Sequence, residues 1–153
     1  MVVKRLLPVL AGLILVLPAS ALAGSTRAEA SLLSEMNRVR AEHGVGRLSA
    51  DTHLQRAARA HSGEMIASNV FEHGAFGSRM LQFSVTGTLA GENLAWGTGV
   101  RGTAQWIVAA WLASPEHRVN LLRPSFTRVG ISDLVGAFRG HRGAHVVTAD
   151  FAG

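Results

Sequence analysis

Apolar residues recur at helical spacing through the first part of the chain and at alternate positions near its end. From Ser31 to His43, Leu32, Leu33, Met36 and Val39 share one helical face, and Gly44 follows where a helix end takes a left-handed residue. This is the first predicted helix. Ser49 or Asp51 caps a second, with Leu54, Ala57, Ala58, His61 and Met65 on one face and Gln55, Arg56 and Arg59 largely elsewhere. Ala57, Ala58 and Ala60 make that face thin, so a neighbour is expected to pack close against it. Between Asn69 and Ala90 periodicity is weak and turn formers are frequent, which predicts loop with one helical turn near Arg79 to Phe83.

Thr103 caps a third predicted helix, whose Trp106, Ile107, Ala110 and Trp111 form an apolar face up to Ser114. Ser114-Pro115-Glu116 then combines a capping hydroxyl, a proline at the first helical position and an acid in the first turn. A short fourth helix should carry His117 and Asn120. Beyond Pro124 the pattern changes to alternation, with Val129, Ile131, Asp133 and Val135 in one set and Gly130, Ser132 and Leu134 in the other. A second strand is predicted from Ala144 to Phe151, joined to the first through the glycine-rich segment from Gly136 to Gly143. Helices first and strands late predict an α+β domain with an antiparallel sheet.

Composition narrows the setting. Lys4 and Arg5 precede an apolar run from Leu6 to Leu17, and Ala21-Leu22-Ala23 offers a small-residue cleavage site, so residues 1–23 read as an export signal. The run is shorter than the roughly 20 residues that span a bilayer, and Pro8 and Pro18 break it. With no cysteine there is no thiol to lipidate, so no stable membrane anchor is expected and the product should be secreted or periplasmic. Residues 24–153 suit one domain, held together without disulfides. Removing Lys4 and Arg5 takes the net charge from +5 to +3, and the arginines are scattered rather than massed, which argues against nucleic-acid binding.

Several short motifs follow one another in a telling order. They are Asn37-Arg38-Val39-Arg40, Leu48-Ser49-Ala50-Asp51, Ala57-Ala58-Arg59-Ala60-His61-Ser62, Phe71-Glu72-His73 and Gly91-Glu92-Asn93. The run Trp111 to Leu122, containing Ser114-Pro115-Glu116-His117-Arg118-Val119-Asn120, precedes Val129-Gly130-Ile131 and Asp150-Phe151. In this order the motifs resemble the CAP superfamily of cysteine-rich secretory proteins, antigen 5 and pathogenesis-related proteins, in its bacterial form. The resemblance implies a three-layer α-β-α sandwich around a central antiparallel sheet, with a cavity lined by two histidines and usually two acids. The matching positions are His73, Glu92 and His117, while the second acid falls on Ser114. Glu116 stands where the family usually has glycine, and either brings a carboxylate to the cavity or simply favours the helix N-terminus.

The resemblance leaves several chemistries open. Two imidazoles and a carboxylate form the ligand set of an open zinc site, so His73, Glu92 and His117 are candidate ligands for zinc or another divalent cation. Alternatively, Glu92 accepts hydrogen bonds from the histidines without a metal. A metal-assisted peptidase or esterase would need Glu116 or Glu92 as proton acceptor. Ser114 beside His117 is a weaker catalytic candidate, since a capping hydroxyl is ordinarily engaged with backbone amides. Asn93 and Asn120 are expected to support Glu92 and His117 through bonds to the backbone.

Among the remaining residues, His61 reads as core, His43, His53 and His141 as surface, and His145 is open; Trp106 and Trp111 read as core anchors. The function expected is a cleft that binds a small lipid-like or amphipathic ligand or a peptide. A hydrolase and a structural cell-envelope protein are the alternatives. The segment from Gly97 to Gly102 is short, so a partner would use the cleft or the connection from Gly136 to Gly143.

Overall fold

The computed structural model describes residues 26–153; the expected export signal lies outside them. Helix α1 (Arg27–Glu42) begins a turn earlier than its apolar stripe because Thr26 and Glu29 form a capping box. Strand β1 (Ser49–Ala50) leads into α2 (Thr52–Ser68), capped by Asp51 through the amides of His53 and Leu54. Where loop with one helical turn near Arg79 to Phe83 was expected, a seven-residue helix α3 (Phe76–Gln82) forms, followed by strand β2 (Ala90–Gly97). A 3-10 turn (Gly99–Gly102) precedes α4 (Ala104–Ala113) and α5 (Pro115–Leu121). Strands β3 (Arg128–Phe138) and β4 (His141–Ala152) extend into the glycine-rich segment and close as a tight hairpin, with positive φ at Arg139 and Gly140.

The sheet order is β1-β3-β4-β2, with β3·β4 and β2·β4 antiparallel. The two-residue β1 pairs in parallel with β3, so the sheet is mixed at that edge rather than wholly antiparallel. Alternation along β3 and β4 sends Val129, Ile131, Val147, Ala149 and Phe151 against α1 and α4, where Leu32, Met36, Ile107 and Trp111 complete the larger core. The opposite face carries α2: Met65 packs with Leu94, Ala144 and Val146. Helices therefore cover both faces, and the fold is the expected α-β-α sandwich.

The thin face of α2 has its reason at Gly130, where an added Cβ would stand 2.0 Å from the carbonyl carbon of Leu54. Trp106 departs from its expected core role: it is exposed and lies under the Arg101 guanidinium, 5.9 Å from the ring centroid. Val108 is buried in the core from α4 instead, beside Ile107 and Trp111. His145 pairs with the buried Asp133, its Nδ1 being 2.9 and 3.0 Å from the two carboxylate oxygens.

Candidate functional site

Strand β2 is an edge strand of the sheet, and the candidate residues lie along it or beside it. Glu92 and Asp150 are cross-strand partners in the β2·β4 ladder, so their side chains leave the sheet together. From α3, Arg79 bonds Glu92 Oε2 and stands 3.7 Å from Asp150 Oδ1. His73 Nδ1–H donates to Glu92 Oε1 at 2.7 Å. Behind them, the buried His61 donates from Nε2 to the Glu72 carbonyl at 2.8 Å, which fixes the loop that presents His73.

The electrostatics follow from burial. Glu92 and Asp150 are pushed up to about 7 and about 8, in each case first by loss of solvent. Arg79 works against this at both acids, while the Glu92 charge raises Asp150 further. One guanidinium neutralises one carboxylate. Glu92 holds that charge, because it has both the Arg79 contact and the His73 bond. Asp150 takes the proton, since it is wholly buried and the Glu92 charge beside it raises it further. His61 is lowered by burial and then by Arg79, so it is neutral at neutral pH and donates as drawn.

The other side of β2 carries α5. Asn93 Nδ2 donates to the His117 carbonyl at 2.9 Å, and Asn120 Nδ2 donates to the Glu92 carbonyl and to Asn93 Oδ1, both at 3.1 Å. Gly91 permits this approach, since an added Cβ would meet Asn120 Oδ1 at 2.9 Å. His117 shares a hydrogen bond between Nδ1 and Ser114 Oγ at 3.0 Å. The serine hydroxyl therefore does not cap α5, contrary to the expectation from its position. His117 is lowered by burial and then by the charge of His73, against a smaller upward pull from Glu116. Glu116 itself is exposed and acts on His117 only through its charge.

This arrangement does not fit the three-ligand metal set. Both Glu92 oxygens are engaged, one by His73 and one by Arg79, and a guanidinium stands where a cation would need an open carboxylate. Among the described residues, no group of three or more His, Cys, Asp or Glu side chains is placed to hold a metal ion. Glu92 instead orients His73 from behind, leaving Nε2 directed away from the carboxylate.

Arg79 and Asp150 were not singled out as site residues from the sequence. Arg79 sits in a stretch without periodicity, and nothing local marks it. Asp150 carried a signal: it shares the inward phase of β4 with Val146 and Thr148, where an acid requires a partner.

Residues 33–151 match the profile of the CAP cysteine-rich secretory protein family. The chain belongs to this family. It is 35% identical over 108 residues to the uncharacterized protein YkwD of Bacillus subtilis (strain 168), a match covering 67% of this chain and 41% of the relative. A solved extracellular SCP-domain protein from Bacillus anthracis is 28% identical with a TM-score of 0.63, over 79% of this chain and 38% of that one. An outer surface protein of Borrelia burgdorferi shares the fold at 22% identity and a TM-score of 0.66, over 78% of this chain and 87% of that one. The chain thus spans about two fifths of the Bacillus relatives' lengths.

This CAP domain differs from the cysteine-rich description of its family in having no cysteine at all. The position where the resemblance put a second acid holds Ser114, and the carboxyl beside Glu92 is Asp150 of β4.

Proposed function

We propose that this is an exported CAP-domain binding module, whose cleft along β2 and α5 takes a small amphipathic ligand or a peptide. The observation that carries the reading is the engagement of Glu92. Its carboxylate is only 3% exposed and is engaged by Arg79 and His73, so it is shut off from water and substrate. Asp150 is buried and Glu116 stands apart on the surface. Ser114 and His117 form a pair, but no carboxylate orients the imidazole, so the third member of a hydrolytic triad is missing among the described residues. What the site offers to solvent is the rim: His73, whose side chain is 59% exposed, and the half-buried His117.

Export rests on the sequence of residues 1–23 and agrees with relatives described as extracellular or as outer surface proteins. No described helix is long and apolar enough to cross a membrane.

Displacement of a fluorescent probe by fatty acids, sterols and short peptides tests the reading. At least one class should displace the probe, and His73→Ala and His117→Ala should weaken it while the fold persists. Efficient turnover of a peptide or ester that disappears in His117→Ala would instead establish a hydrolase.

A further inference from the structure

Side chains close most of both sheet edges. On β2, the outward carbonyls of Glu92 and Leu94 accept from Asn120 Nδ2 and Trp111 Nε1. On β3, β1 pairs with Arg128 and Val129, and the Gln55 amide donates to the Ile131 carbonyl and accepts from its N–H. One step further, Glu29 Oε1 accepts from the Asp133 N–H at 3.4 Å. Residues 129, 131 and 133 thus turn their backbone groups away from β4, and the same two-residue phase sends those of Val135 outward. Among the described residues nothing closes the edge there. Helix α1 has ended by this level, since its first turn lies at Asp133, and α2 presents Gly63 beside Leu134. Val135 is consequently 61% exposed, and Ala137 is exposed as well. The stretch Leu134-Val135-Gly136-Ala137 has neither a charge nor a proline, the residues that ordinarily blunt an edge.

We infer that this open stretch of β3 pairs with the same stretch of a second copy of the chain. An antiparallel pair centred on Val135 is two-fold symmetric, so each Val135 N–H meets the carbonyl of the other and both bonds form in one contact. The two valines then face each other on the α1 side of the joined sheet, and Leu134 of each copy lies beside Gly136 of the other, which has no side chain to compete for the space. Asp133 falls opposite Ala137, so no like charges meet. Glu29 at Asp133 and the bulge between Gly136 and Phe138 stop the pairing on either side, which fixes its register. The joined sheet runs β2-β4-β3-β3-β4-β2, with the two β2 edges at opposite ends and the candidate sites along them left open. So short a contact falls below the roughly 1,200–2,000 Å² of a stable interface, so the pair is weak and reversible.

Sedimentation velocity from about 10 μM to about 1 mM, a range that reads dissociation constants near millimolar, tests the pairing. The mean mass should rise from one chain toward two, and the resonance shifts that change with concentration should centre on residues 134–137. Val135→Lys sets like charges across the two-fold axis and should abolish the rise while the fold persists. Val119→Lys, at a valine of similar exposure (56%) on α5, should leave it unchanged, as should His73→Ala, so the outcome does not depend on what the cleft binds. A mass that stays at one chain throughout, a rise that survives Val135→Lys, or a rise lost equally in Val119→Lys would overturn the proposal. A monomer in which the Val135 N–H exchanges slowly would also overturn it, by assigning the edge to another segment of the same chain.

Discussion

Arg79 faces two buried carboxyl groups with a single positive charge, so one proton must complete the neutralisation. Arg79→Ala would leave Glu92 without its counter-charge, and breaking such a buried pair costs about 3–5 kcal/mol. Urea unfolding should show that loss; a change below about 1 kcal/mol would mean water reaches the pair. The same acids set a pH dependence. Their folded values are raised, so the folded chain keeps protons that the unfolded chain releases above about pH 4. Their contribution to stability is therefore greatest in acid and is lost as pH rises through about 7 to about 8. His61 and His117 act in the opposite sense: burial lowers them, and their contribution is lost as pH falls below about 6.5. Comparison with Asp150→Asn isolates the acids. Wild type should lose stability relative to this variant between about pH 5 and about pH 8.5, by the linkage of protons to folding. A constant difference would show that Asp150 is ionised throughout. Of these residues, His73, Glu92 and His117 were legible through the order of motifs. Arg79 was not, because the carboxylate it serves lies 13 residues away on a strand that had not been recognised.

Strand β2 was illegible for a physical reason. It contains no β-branched residue, and its two faces carry Glu92, Leu94 and Trp96 on one side and Gly91, Asn93, Ala95 and Gly97 on the other. Buried polar groups on both faces erase the alternation that marked β3. The glycines serve close approach: a Cβ on Gly97 would stand 2.4 Å from the Arg101 carbonyl oxygen. The long helices were legible because their apolar stripes and caps agree, although the box at Thr26 and Glu29 places the start of α1 earlier than the stripe alone. The α2·β3 contact makes a sharp prediction at this scale. Gly130→Ala forces a Cβ into the α2 backbone, which cannot yield as a side chain does, and should cost several kcal/mol, at or beyond the roughly 1–3 kcal/mol usual for overpacking. Gly136→Ala meets only the flexible Ile66 side chain at 3.2 Å and should be milder. Thermal unfolding of the two variants checks this, and equal shifts would contradict the close packing of α2 on β3.

Without disulfides, the whole domain depends on its two-faced core and on polar ties between distant segments. Arg40 is one such tie, joining the end of α1 to the turn after α5 through bonds to Leu121, Arg123 and Phe126. Asn93 and Asn120 similarly hold α5 across the edge strand, so the rim histidines rest on a rigid base. The layer order was legible from helices placed early and strands late. The mixed edge was not, because a two-residue strand is too short to show a period.

At this scale the proposed reading has the site bind through its rim, with no metal at Glu92. Calorimetric titration of a displacing ligand, with and without a chelator, measures that directly. The affinity should be the same in both, and Glu92→Gln should act chiefly on stability. A ligand captured only with a divalent cation present, and lost together with that cation in Glu92→Gln, would contradict the account.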